Sequence, residues 1–298
     1  MKHLLAIAPL ALLAACGGGG GGGVNPNVAG VDSASAATAM YGQDFVITLK
    51  GRNLDKDIAA SATGCSALAR SASEPYVSTA DTAYYICSQA QLGEHQAVFG
   101  RPADGVTLAT VPYTVPLPQV TLSLSNGAGV QGQVVLTLEA RQVPTTVNNF
   151  LAYVKSGFYV DTVFHRVVPD FVVQGGGYAQ PLVAGGTLPT LKPAEAPIPL
   201  EDNAGLSNLK WTVAMARTNV LASANSQFFV NLADNTFLDR SGTQRGYAVF
   251  GTVSGGTELI SAMVAAPCAS WPAFFAGDSA SACLPSPNVV ITAAAQTR

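Results

Sequence analysis

The chain has 298 residues, of which 48% are hydrophobic and only 11% charged, with a formal net charge of -3. That length favours two domains with ample core material. The shortage of charge excludes an electrostatic nucleic-acid binder and suits an exported protein whose surface is built from small residues.

Lys2 and His3 precede a short apolar run over residues 4–13, and Ala14-Ala15-Cys16 closes it. This is the pattern of an export signal. The run is too short to span a bilayer, and Pro9 interrupts it. Leu13-Ala14-Ala15-Cys16 resembles a bacterial lipobox, which implies cleavage before Cys16 and acylation of that residue; a plain secretory signal with an incidental cysteine is the alternative. Residues 1–15 are thus expected to be a lipoprotein signal peptide, and 16–23 the lipidated Cys16 with a flexible glycine tether. No acidic residue directly follows Cys16, so retention at the inner membrane is not indicated, and the resemblance to lipoproteins implies the outer membrane, facing the periplasm.

Of the five cysteines, Cys16 aside, Cys65, Cys87, Cys268 and Cys283 remain. Pairing Cys65 with Cys87 and Cys268 with Cys283 would close short loops, each stabilising by roughly 3 kcal/mol in the chain-entropy model. That arrangement fits an oxidising compartment. Four reduced, buried cysteines are the alternative. A metal site is the poorer reading, because no CxxC spacing or adjacent histidine appears.

Residues 24–117 are expected to form a small β domain. Phe45, Ile47 and Leu49 alternate with polar residues, and residues 82–87 and 107–115 are further strand candidates. The stretch from Gly42 to Leu54 resembles the opening of immunoglobulin-like IPT modules, which implies a β-sandwich. His95 is expected to be a surface or loop residue. Pro112, Pro116 and Pro118 stiffen the passage into a second domain over 118–298.

There, alternation at Val120, Leu122 and Leu124 and again at Val134, Leu136 and Leu138 flanks a Ser125-Asn126-Gly127 turn, predicting a hairpin. Thr145 or Thr146 can cap a helix whose apolar face carries Val147, Phe150, Leu151 and Val154, with Gly157 to end it. Strands are predicted over 163–168, 172–174, 212–216, 227–232, 248–253 and 289–292, and a second helix over 257–264. Many short strands with two helices fit a closed antiparallel barrel, so the fold class is mainly β. Residues 181–199 are proline-rich and loop-like, and 268–287 is an inserted loop that a disulfide would close.

The chemistry concentrates in Phe164-His165-Arg166-Val167-Val168-Pro169-Asp170-Phe171-Val172-Val173-Gln174-Gly175-Gly176-Gly177. Arg166 is a permanent cation amid apolar and amide groups. It can polarise a bound group but cannot act as a general base. His165 is expected to be a packed residue without a chemical role, and Gly175 to Gly177 could be only a turn. A phosphate loop does not fit, since no lysine or serine follows at the required spacing.

Met215-Ala216-Arg217, Ser226 to Asn231, Phe237-Leu238-Asp239 and Gly246 to Gly251 follow in order. Together these blocks resemble the cyclophilin family of peptidyl-prolyl cis-trans isomerases, over roughly residues 119–292. The resemblance implies an eight-stranded barrel that accelerates rotation about Xaa-Pro bonds without cofactor or metal. It assigns Arg166, Gln174 and Phe171 to catalysis, with Gln174 orienting Arg166. Val172, Phe229 and Leu238 would complete the wall around the proline ring. Ala216, Arg217 and Gln227 would bind the residues preceding it, and Phe237 and Tyr247 would form the rim. Eukaryotic members commonly carry tryptophan and histidine at those rim positions, so the resemblance implies weak cyclosporin binding. Val172 stands where many members have methionine, and Gly177 where an acid is common.

The expected partners are proline-containing segments of exported proteins, with the membrane reached through the lipid anchor. A catalytically weak binding module or chaperone on the same barrel is the alternative. Another gives the amino-terminal β domain the main role, as a docking unit.

Overall fold

The computed structural model describes residues 27–298. The expected signal peptide, Cys16 and the glycine tether lie outside the described residues. Seven strands come first: β1 (Gly30–Ala36), β2 (Phe45–Arg52), β3 (Ala59–Ala62), β4 (Ala67–Arg70), β5 (Thr82–Ser88), β6 (Gly93–Arg101) and β7 (Val106–Val115). They form two antiparallel sheets, β1-β2-β5-β4 and β3-β6-β7. The period-two alternation of β2 turns Phe45, Ile47 and Leu49 inward, where they meet Tyr85 of one sheet and Phe99 and Val111 of the other. A disulfide joins Cys65 to Cys87. His95 lies within β6 rather than in a loop, and its Nε2 sits 3.0 Å from the Gln91 carbonyl.

The second half contains β8 (Gln119–Ser125), β9 (Gln131–Leu138), α1 (Pro144–Lys155), β10 (Thr162–Val168), β11 (Val172–Ala179), β12 (Thr212–Met215), β13 (Phe228–Asn231) and β14 (Val249–Gly255). It ends with α2 (Thr257–Ala265), β15 (Cys268–Ala269), β16 (Leu284–Pro285) and β17 (Val289–Gln296). Eight of these strands close a barrel in the order β10-β11-β13-β12-β14-β9-β8-β17. Pairing of Val163 with Val290 and of Phe164 with Val289 brings β10 and β17 together and completes it.

Helix α1 supplies much of the packing. Phe150 is fully buried and packs with Tyr159, Phe228 and Phe250 at centroid distances of 5.1, 5.5 and 5.0 Å. Each such side chain contributes roughly 1.5–3 kcal/mol through burial. The helix begins one residue before the threonines expected to cap it. Pro144 takes the first turn, where its missing N–H costs nothing. The cap is instead Glu201, distant in sequence, whose carboxylate accepts from the backbone N–H of Thr145 and of Thr146 and from Thr146 Oγ1. An anion at this end also suits the helix dipole.

Tyr41 and Leu92 pack against the cores of both halves. Gln43 Nε2 donates to Gln296 Oε1 at 2.8 Å, and Gln296 Nε2 to the Tyr41 carbonyl at 3.1 Å. Among the described residues no helix is long and apolar enough to cross a membrane.

Candidate active site

Strand pairing alone lines up the site. Arg166 of β10 stands opposite Gln174 of β11, Gln174 opposite Phe229 of β13, Phe229 opposite Ala214 of β12, and Ala214 opposite Val249 of β14. Directly paired residues point to the same side of a sheet. The barrel therefore carries one row that begins with a cation and an amide and ends in apolar side chains. The intervening residues Val173, Phe228, Val230, Val213 and Phe250 belong to the barrel core. Val172, Ala214, Phe229 and Val249 form a separate buried cluster, with Phe171, Leu238, Ala216 and Tyr247 packed against it.

Of these, Val172, Phe229, Phe171, Leu238, Ala216 and Tyr247 line a cleft of roughly 330 Å³ together with Arg166, Gln174, Arg217 and Gln227. Ten of the eleven residues named from sequence for catalysis and peptide binding thus converge on one cavity. Phe237 differs. It lies on a short 3-10 turn (Thr236–Leu238), is 64% exposed, and reaches the site only by stacking on Phe171 at 5.7 Å. The turn bearing Phe171 is fixed from beneath, because Asn235 Nδ2 donates to the Phe171 carbonyl and to Asn231 Oδ1, both at 2.8 Å.

Two of these side chains make bonds within the protein that the sequence did not show. Gln174 Nε2 donates to Gln227 Oε1 at 3.0 Å, so its bond goes to that amide and not to Arg166. The guanidinium of Arg217 is committed to the carbonyls of Gly246, Arg245 and Thr218 at 2.9–3.1 Å and lies 4.5 Å from the Tyr247 ring. It is a clamp that holds Tyr247, which in turn packs edge-on against Phe229 at 5.6 Å.

Gly175, Gly176 and Gly177 lie inside β11 and are not a turn. Gly176 has φ +82, and a Cβ there would meet the Ser226 carbonyl at 2.9 Å. A Cβ on Gly177 would fall 2.6 Å from Gln227 Cγ. The small residue at 177 therefore leaves the room in which Gln227 reaches Gln174.

Tyr178, Phe274, Phe275 and Asp278 also line the cleft, and sequence reasoning missed all four. The last three come from the loop between β15 and β16, which the Cys268–Cys283 disulfide closes. The only signal for them was that loop's flanking cysteines. Asp278 faces Arg166 side-on: one oxygen accepts from Nε and the other from Nη2, the latter at 2.5 Å. Arg166 beside it, mainly through these hydrogen bonds, holds the Asp278 carboxyl below the usual carboxylate range.

His165 is buried, and its Nδ1 has no hydrogen-bond partner. Burial lowers its pKa to about 3, so the ring is neutral at physiological pH and offers no proton chemistry there. Among the described residues no group of three or more His, Cys, Asp or Glu could hold a metal ion.

The loop carrying Tyr247 depends on Asp202, whose side chain is wholly buried. Its carboxylate accepts from Arg245 Nη2 at 2.5 Å, Arg245 Nε at 2.8 Å and the Gly246 N–H at 2.9 Å. Arg245 lowers the Asp202 pKa to about 2. Replacing Asp202 with Asn should cost about 1–3 kcal/mol, read by urea unfolding at pH 7. It should also raise KM more than it changes kcat, because Tyr247 loses its support without touching the cation. An unchanged midpoint and KM would remove Asp202 from this role.

The closed barrel carries on its wall an apolar slot beside a fixed cation, an arrangement that defines a class of peptide-binding barrels. The family model for cyclophilin type peptidyl-prolyl cis-trans isomerases matches residues 120–292, and the chain belongs to that family. It is similar to peptidyl-prolyl cis-trans isomerase A of Dickeya dadantii, 47% identical over 128 residues, which are 43% of this chain and 64% of that relative. It is also similar to isomerase cyp18 of Streptomyces antibioticus, at 45% identity covering 48% of this chain and 82% of that protein. Isomerase B of Escherichia coli is 41% identical, covering 43% and 76% respectively. The activity of this chain is cis-trans isomerisation of peptidyl-prolyl bonds.

Proposed function

We propose that the cleft catalyses this rotation by stabilising the twisted imide, with Arg166 as the catalytic cation and Val172, Phe229, Leu238 and Phe171 as the seat of the proline ring. Rotation about the peptide bond must climb roughly 18–20 kcal/mol, because the nitrogen lone pair is shared with the carbonyl. In the twisted form that pair localises on nitrogen and can accept a hydrogen bond. A donor aimed there therefore binds the transition state more strongly than either planar isomer. The observation that carries the reading is the paired row from Arg166 through Gln174 and Phe229 to Val249, which sets the cation against the apolar cluster.

Asp278 occupies the Arg166 Nε–H and one Nη2–H, so the second Nη2–H and the two Nη1–H groups are left to meet the peptide. Gln227 and Gln174 form an amide pair that offers its remaining donor and acceptor to the flanking backbone. Exchange NMR on an Xaa-Pro peptide tests the assignment, with wild type compared against Arg166→Ala. Equal exchange rates would end it.

The wider reading is a lipid-anchored isomerase at the bacterial cell envelope that assists folding of exported proteins. Residues 1–15 would be the signal, 16–23 the acylated Cys16 and tether, 24–117 a spacer or docking unit, and 118–298 the isomerase. The lipobox-like Leu13-Ala14-Ala15-Cys16 supports it, as do the two disulfides, which suit an oxidising compartment. Labelling with radioactive palmitate should mark the wild-type protein and not Cys16→Ser. Label on both would refute the anchor.

A further inference from the structure

We propose that Asp278, carried in by the disulfide-closed loop, is the positioning residue of Arg166: it fixes which edge of the guanidinium faces the peptide. The proposal rests on the catalytic reading of Arg166 given above. Both hydrogen bonds of the Arg166 side chain go to Asp278, at Nε and Nη2. Among the described residues the guanidinium also lies over the Phe171 ring, 5.7 Å away. The amide expected to hold it, Gln174, is bonded to Gln227 instead. Without Asp278 the guanidinium would be a long, unrestrained cation at the mouth of an apolar slot.

The loop is built to keep that carboxylate in place. Cys283 exchanges two backbone hydrogen bonds with Val167, the residue after Arg166, at 2.9 and 3.0 Å. The Cys268–Cys283 disulfide ties the loop's other end to the same point. Trp271, only 3% exposed, packs with Val163, Leu182, Leu284 and Val290. Phe274 stacks on Trp271 at 4.9 Å and meets Tyr178 edge-on at 5.2 Å. Ser279 donates its N–H to Asp278 Oδ1 at 2.7 Å, which fixes the carboxylate plane.

Two consequences for catalysis follow. A side-on carboxylate consumes Nε and one Nη2 donor and leaves Nη1 directed away from it, so the fork cannot rotate between isomerisation events. When a proline ring covers the site, Arg166 is also removed from water. A partner already in place spares the complex an unpaired buried charge.

The test uses the disulfide-intact protein and three substitutions. Asp278→Ala is expected to lower kcat/KM in exchange NMR about 10-fold, with most of the loss in kcat. Asp278→Asn, which keeps an acceptor but no charge, should lose about 3-fold. In nitrogen-15 spectra the Arg166 Nε–H resonance should move in Asp278→Ala toward that of a solvated arginine and exchange faster with water. A merely structural loop residue would not produce that change. Wild-type or higher activity in Asp278→Ala would overturn the proposal and make the carboxylate a plug. An unmoved Nε–H resonance would overturn it too. Arg166→Ala is run alongside: if it too retains full activity, the reading of Arg166 itself fails, whereas its loss together with an active Asp278→Ala sinks the positioning role alone.

Discussion

Arg166→Ala is expected to lower kcat/KM on an Xaa-Pro peptide about 10²–10³-fold, the usual consequence of removing one preorganised donor from a transition state. That is about 3–4 kcal/mol. Accelerating rotation about 10⁵-fold would require about 7 kcal/mol of differential stabilisation, so roughly half should survive in the slot formed by Val172, Phe229 and Leu238. Arg166→Lys separates charge from shape. An ammonium keeps the cation but cannot bond Asp278 side-on while presenting a second donor. Its expected loss is about 10-fold. Circular dichroism should show both variants folded, because Arg166 belongs to the cleft and to none of the buried clusters. Undiminished exchange in Arg166→Ala would remove the cation from the mechanism and leave the slot to act alone.

The barrel was legible because its strands alternate. Val120, Leu122 and Leu124, and the β2 run of the first half, follow the two-residue period of a sheet with one buried face. The paired row of site residues was legible only through resemblance, since register across five strands is not written in any one of them. Long-range polar contacts escaped altogether. Glu201 caps α1 from 55 residues beyond Thr146, in a stretch with no periodicity, while the threonines that a local rule selects lie inside the first turn. Asp278 lies 112 residues from Arg166 in an irregular loop, and its charge looks like that of any exposed aspartate until the fold closes. Gln174 illustrates the same blindness from the other side. Its distance from Gln227 is set by Gly177, a position where sequence shows only the lack of an acid.

Acid should destabilise the protein well before its carboxylates titrate, because His165 is buried neutral. Its folded pKa of about 3 lies below the unfolded value of about 6.5. Between those limits the unfolded chain takes up a proton that the folded chain refuses, so stability is full above pH 6.5 and falls as the pH drops toward 3. The loss expected on going from pH 7 to pH 5 is about 2 kcal/mol. Asp202 and Asp278 push the same way, but only as the pH falls below the ordinary carboxylate range, so the comparison belongs above pH 4.5. Urea unfolding of wild type and His165→Phe at pH 7 and pH 5 isolates the effect, since phenylalanine retains the aromatic contacts with Tyr178 and Phe274. The variant should lose the pH dependence while holding its stability at pH 7, where it also removes an unpartnered Nδ1. Activity should stay flat from pH 6 to pH 8 in both proteins, because a neutral His165 makes no proton transfer and Arg166 cannot. Equal slopes in the two proteins would mean that His165 finds a way to ionise inside the fold, and a bell-shaped activity profile would mean that the reaction uses a proton after all.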